Sequence, residues 1–248
     1  MNKKLWTFIC IGLAAVFSIT MMYWFYFSQP ASFPPNEYVM KEINSLYPEA
    51  GANVIQDTIL VDQRHVLVPF VSEQDNYSLS YWVWDKRKWR VVSIDTRGEP
   101  KIWKIKRNDF SSYHFVWNIH PKDQLSSIDF YLIRDREYQV MDGVESYIPR
   151  VQMERSVPLE EKSYGLMSMP GDWFSIINEF KDMESTKQMD VFHDFFPEQQ
   201  MFFGWIPYNQ DGKESFPQHS VNGNSYYLGE INLEHVMIQN KGDMEVSE

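Results

Sequence analysis

Six histidines, a single cysteine and nine tryptophans carry most of the chemical range of this chain. His114 and His120 lie six apart, which places both on one face of an extended strand, because side chains there alternate with period two. His193-Asp194, His219 and Glu234-His235 are scattered through the second half. None of them makes the H-x-x-x-H or H-x-H spacing that turns two imidazoles toward one zinc ion, and only Cys10 could add a thiolate. No metal and no other cofactor is predicted. Asn209-Gln210-Asp211-Gly212 resembles part of a calcium loop. An EF-hand would need an oxygen ligand where Pro207 stands and an acid where Gln218 stands, so the segment predicts a hairpin turn. The G-x-S-x-G elbow is absent, and the serine and lysine pairs have no strained turn around them. A Ser/His/Asp set using His193 and Asp194 depends on geometry that sequence order does not supply. No catalytic residue is assigned.

The tryptophans offer binding chemistry instead. Trp82 and Trp84 share one face of a predicted strand, and Trp89, Trp103 and Trp117 fall on neighbouring strands. Five rings in a row could stack on sugar faces or on a peptide, and they are the candidate ligand-binding residues. The competing reading is that they fill the core, since buried aromatics dominate core area. Tyr77, Leu79, Tyr81 and Val83 make the opposite face of the same strand apolar as well, which favours a sheet covered on both sides.

Charge excludes one class of partner. The formal net charge is -11, and beyond Lys3 and Lys4 there are 21 basic against 34 acidic residues. Nucleic-acid affinity rests on cations that neutralise phosphates, and no basic stripe exists to supply them. Lys86-Arg87-Lys88 with Arg90 is a local run, read as a solvated turn or, less simply, an anion contact.

The elements that position these residues begin with an uncharged run from Leu5 to Phe27. At 1.5 Å per residue it reaches about 34 Å, enough for a hydrocarbon core of about 30 Å. Lys3 and Lys4 precede it and Glu37 is the first charge after it, so the positive-inside bias predicts a cytoplasmic N-terminus, residues 1–4, with the C-terminal domain outside. Trp6 at one end and Tyr23, Trp24 and Tyr26 at the other suit the two interfaces. The run is longer than a cleavable signal's apolar region and ends in aromatics instead of small residues. Cys10 lies too early, behind Phe8-Ile9, for lipidation. Residues 28–35, SQPASFPP, predict a short stiff stalk. An exported domain whose only cysteine lies in the anchor has no disulfide framework, a usage that leans toward a bacterial envelope.

The fold class expected for residues 36–239 is mainly β (α+β): an antiparallel β-meander with one or two packed helices, divisible near residues 156–170. Asn36 caps a helix to about Tyr47 with Val39, Met40, Ile43, Leu46 and Tyr47 on one stripe. Strands are predicted at 54–61, 65–71, 77–84, 89–95, 101–106, 113–119, 128–134 and 138–141, joined by links short enough to force antiparallel neighbours. Tyr81–Val92 and Phe130–Met141 read as two similar hairpins 49 residues apart. A second helix follows from Trp173 to about Met183 with Asp172 as its N-cap. A polar linker, Glu184 to Asp190, leads to aromatic segments at 191–196 and 201–208. A last strand pair near 225–228 and 231–238 precedes a frayed tail at 240–248.

This layout of a basic start, one anchor and a disulfide-free aromatic β domain is similar to that of bacterial envelope proteins. The leading expectation is a single-pass membrane protein whose outer domain binds an envelope protein, a peptide or a glycan. A hydrolase built around His193, Asp194, His219 and His235 is the first alternative. An assembly subunit working through the small-residue spacing Ala14 to Ser18 is the second.

Overall fold

A computed structural model of the chain describes residues 3–141, 144–187 and 201–245. The apolar run forms helix α1, Lys3–Phe27, in which the window Phe8–Phe25 has a mean hydropathy of 2.0 and is long and apolar enough to cross a membrane. Residues 28–35 carry no regular structure and lead into helix α2, Asn36–Leu46. Its stripe is as expected, with Val39 and Ile43 fully buried. The N-cap position belongs to Pro35, not Asn36, because Pro35 is extended and its carbonyl accepts the first helical N–H groups. The Asn44 side chain then binds the backbone of Ala52 at both ends, at 2.6 and 2.9 Å, which fixes α2 to the first strand.

Strands follow in the order β1 (Ala52–Ile55), β2 (Ile59–Asp62), β3 (His65–Ser72), β4 (Tyr77–Asp85), β5 (Lys88–Asp95), β6 (Gly98–Lys104), β7 (Tyr113–Asn118), β8 (Leu125–Arg134), β9 (Glu137–Met141), β10 (Val144–Ile148), β11 (Val151–Pro158) and β12 (Tyr164–Ser168). Helix α3 (Gly171–Lys187), β13 (Phe202–Asn209), β14 (Ser225–Tyr227), β15 (Leu233–His235) and β16 (Met237–Ile238) complete them. Among the described residues the fold is mainly β with antiparallel sheets, the parallel β13/β16 pair excepted. The first sheet is β1-β3-β4-β5-β14 with β2 also on β3, the second β12-β7-β6-β15 and the third β11-β8-β13-β16.

The three sheets stack, and period-two alternation supplies both faces. From the first sheet, Val66, Val68, Phe70, Trp82 and Trp84 pack with α2, while Leu67, Leu79 and Tyr81 pack with Trp103 and Val116 of the second. From the second sheet, Ile102, Phe115 and Trp117 turn the other way, onto Phe130, Leu132, Phe203 and Trp205 of the third and Trp173 and Ile177 of α3. The order is α2, first sheet, second sheet, then third sheet with α3.

A single meander does not describe this. The short links β5 to β6 and β7 to β8 change sheets instead of turning back within one. Gly98 permits the first change. It faces Asn118 so closely that a Cβ would stand 2.4 Å from the Asn118 carbonyl oxygen. The predicted strand 54–61 is broken into β1 and β2. The second member of the hairpin repeat is not a hairpin: β8 pairs β11 and β13, and β9 leaves to pair β10 in a separate ribbon. Asp172 is inside α3 and pairs with Arg155 at 2.6 Å, so it is not the N-cap. Helix α3 extends through part of the predicted linker. The segment 191–196 lies outside the described residues.

The predicted last strand pair is also corrected. β14 joins β5, β15 joins β6 and β16 joins β13, so one C-terminal stretch adds an edge strand to each sheet in turn. Residues 240–245 are tied down as well: Gln152 exchanges two hydrogen bonds with Glu245, and Met244 covers Tyr131 and Ile133 on the outer face of the third sheet.

Candidate functional site

The five tryptophans do not form a row. Trp82, Trp84 and Trp89 belong to the layer between α2 and the first sheet, Trp103 to the layer between the first and second sheets, and Trp117 to the layer between the second and third. All five are buried, Trp89 the most exposed at 8%. A platform of stacked faces is thereby replaced by core packing. Trp117 shows why: its ring lies over Gly165, where a Cβ would come within 2.4 Å.

Two of the five still border open space. Trp84 and Trp89, 5.6 Å apart and edge-to-face, lie in the wall of a groove of about 770 Å3 between α2 and the β4–β5 hairpin. Tyr38 and Leu46 of α2 and Leu228 line it too, with Glu42 and Glu230 contributing acid and Lys86, Lys88 and Arg90 base. Phe33 meets the rings of Trp82 and Trp89 edge-on at 5.3 and 5.2 Å, and the Trp89 indole N–H donates to the Ala31 carbonyl at 2.9 Å. Residues 28–35 are therefore not a free stalk. Their aromatic residue has found the exposed end of an apolar layer, and their carbonyls take its donors.

A second cleft, lined by His120, Ser126, Glu160, Glu161 and Asp211, lies at the end of the stack that carries the β3–β4 turn. Beside it, buried Asp123 accepts from the His219 backbone N–H at 3.0 Å, His219 Nδ1 at 2.8 Å and Ser220 Oγ at 2.5 Å. A carboxylate holding one ring nitrogen and leaving the other outward is how a general base is oriented. Among the described residues no nucleophile stands beside it. Ser220 Oγ donates to Asp123 and accepts from the His120 backbone N–H at 2.8 Å, and among the described residues no hydroxyl or thiol meets the His219 ring. His120 Nδ1 accepts from the Lys122 N–H, which leaves Nε2 to donate to the Asp75 carbonyl at 2.8 Å. The cluster ties the β3–β4 turn to the C-terminal stretch.

The remaining described histidines are dispersed. His235 pairs with Glu99 at 2.9 Å, and His193 and Asp194 lie outside the described residues. His114 and His120 are not on one site: Nδ1 of His114 lies 3.2 Å from Ser168 Oγ, its direct cross-strand partner. A serine beside an imidazole is half of a nucleophilic pair, but among the described residues no carboxylate hydrogen-bonds the His114 ring. His65 takes the neighbouring carboxylate, Asp62, at 2.8 Å.

Burial lowers the pKa of His114, and nearby His65 adds to this against the attraction of Asp62. The folded-state pKa is below the ordinary 6.5, so as pH falls the unfolded chain takes up this proton first. Stability due to His114 is therefore lost below about pH 6.5 and is independent of pH above it. His114→Gln is expected to reduce the fall in Tm between neutral and mildly acidic buffer. Equal falls for parent and variant would refute it.

One buried polar group was not visible in the sequence. Lys101 Nζ lies 2.7 Å from Asp95 Oδ1 and 2.8 Å from Ser225 Oγ, Ser225 Oγ donates to Asp95 Oδ1, and the Tyr81 hydroxyl donates to Asp95 Oδ2 at 2.9 Å. Burial and the Asp95 charge raise the Tyr81 pKa well above 10 and keep it a donor. A Ser–Lys contact can serve acyl transfer when the amine is free to take a proton. Here it is ion-paired with Asp95, and the network joins β4, β5, β6 and β14.

Among the described residues no three His, Cys, Asp or Glu side chains converge on a metal position. The turn at 209–212 is a hairpin, with Gly212 at φ 69° and the Asn209 side chain accepting from the Asp211 and Lys213 N–H groups. No protein-family model, curated protein or solved structure matches this chain.

Proposed function

We propose that this chain is a membrane-anchored binding module of a cell envelope, with α1 as an uncleaved span, the N-terminus cytoplasmic and the sheet stack outside. Its ligand is a peptide segment of an envelope protein, held in the groove between α2 and the β4–β5 hairpin. The observation that carries the reading is the position of that groove beside the point where α1 meets the stack, with an aromatic wall and acid and base around it. Trp84 and Trp89 are 7% and 8% exposed, so neither offers the open ring face on which a sugar stacks, and aliphatic and backbone groups suit the groove better. Charges of both signs fit a peptide of mixed charge.

A photoreactive residue at Tyr38, which is 47% exposed, is expected to crosslink a discrete envelope polypeptide in intact membranes. The same residue at exposed Lys213, on the hairpin turn of the third sheet, is expected not to. Leu228→Arg should remove the Tyr38 adduct by filling the groove. Adducts of equal yield from both positions, or one that survives Leu228→Arg, would overturn the assignment.

A further inference from the structure

The β4–β5 hairpin turns through Lys86 and Arg87, both with positive φ, at 48° and 65°. Two-residue loops of this kind favour Asn-Gly or Asp-Gly, because a side chain strains the left-handed conformation. Here both positions carry cations, and exposed Lys88 and Arg90 follow, with Asp85 the only acid in the tip. Strain and like charge are concentrated together in a chain whose net charge is -11.

The tip has a defined place relative to α1. The Arg87 guanidinium stacks 3.5 Å from the centroid of the Trp24 ring. Trp24 stands three residues before the end of α1, about 4.5 Å along the axis. The chain beyond α1 is pinned to the same sheet. Arg64 donates to the Ser28 carbonyl at 2.8 Å, Trp89 donates to the Ala31 carbonyl, and Phe33 packs on Trp82 and Trp89. Once α1 spans, these contacts hold the tip at the depth of Trp24, which is the interface favoured by tryptophan. Within the tip, Lys86 and Arg90 share the one carboxylate of Asp85, at 4.0 and 3.8 Å. At that depth a bilayer presents lipid phosphates to these cations.

We infer that the β4–β5 tip binds the headgroups of anionic lipids and seats the outer domain on the bilayer. This rests on the anchor reading of α1. It explains why the strained turn carries Lys-Arg, and it brings the groove, which shares Lys86 and Lys88, to the membrane surface.

The test uses the full chain in lipid nanodiscs, with Cys10→Ala and a fluorophore on Gln63→Cys in the adjacent β2–β3 turn. Nitroxide-headgroup lipid quenches the fluorophore when the domain is seated. Adding phosphatidylglycerol to phosphatidylcholine is expected to increase quenching, and high salt is expected to abolish the increase. Lys86→Asn/Arg87→Gly, which relieves the turn and removes both charges, is expected to abolish it too while leaving Tm unchanged or higher. Quenching that ignores lipid charge, or an increase that survives the double substitution, would overturn the lipid contact and leave the anchor standing. Release of the chain from membranes by alkaline carbonate would overturn the anchor and the lipid contact with it.

Discussion

Lys101→Met is expected to destabilise the fold by about 3–5 kcal/mol, because it strands the Asp95 carboxylate between two sheets. Both partners are 2% exposed. The ammonium is the countercharge to a carboxylate that also takes hydrogen bonds from Ser225 and Tyr81. Taking two charges out of water costs several kcal/mol per ion, and their attraction offsets this only while both are present. Lys101→Met/Asp95→Leu should therefore recover much of the loss, though not all, since the Tyr81 and Ser225 hydroxyls lose an acceptor. Chemical denaturation of the full chain in detergent checks both values. A single substitution that costs less than about 1 kcal/mol would show that water reaches the pair, as it does in exposed bridges. The result also bears on topology, because β14 arrives from the C-terminal stretch and contributes Ser225 to a network otherwise built from β4, β5 and β6.

Trp82→Ala is expected to cost a similar amount, about 3–5 kcal/mol, as a large aromatic removed from a packed core. For a domain of this size that is a fall in Tm of roughly 6–20 °C. Trp82 is fully buried, its indole N–H donates to Ser80 Oγ at 2.9 Å, and Phe33 meets its ring. If the tryptophans were a ligand platform, the substitution would remove binding and leave Tm unchanged. In the packed arrangement Tm falls first, and the linker carrying Phe33 loosens with it. Thermal unfolding followed by tryptophan fluorescence and by backbone circular dichroism distinguishes the two, and an unchanged Tm would refute the core assignment.

The strands of the first half were legible because their side chains alternate. Val66, Val68 and Phe70 against Leu67, and Leu79 and Tyr81 against Trp82 and Trp84, give period-two runs whose limits match β3 and β4 within a residue or two. The same runs showed that both faces would be covered. They could not show by what. A face that packs on a helix and a face that packs on another sheet have the same apolar composition, so three stacked sheets look like one long meander. The wall of the groove was legible only as residue types. Trp84 and Trp89 fall in one predicted row with Trp82, Trp103 and Trp117; Trp82 shares their layer while Trp103 and Trp117 lie in two others, and nothing in the spacing separates the two rings that border the groove from the rest. β11 and β12 were missed because Val151–Pro158 and Tyr164–Ser168 are polar or mixed, half-buried strands with weak alternation.

By itself the sequence determined the apolar run from Leu5 to Phe27, the acidic balance, the strand periodicity and the lack of a local metal or nucleophile motif. Each is a property of neighbouring residues. The tertiary structure alone decided which strands leave one sheet for the next, that Ser225–Ile238 gives one edge strand to each sheet, and that Lys101 meets Asp95 and Ser225. It also decided that residues 28–35 lie on the tryptophan layer and that the Lys86-Arg87 turn stands against Trp24. These depend on contacts between residues far apart in the chain. Closing such loops costs entropy that only the packed core offsets, so their outcome is set by how the whole stack fits together and not by any local pattern.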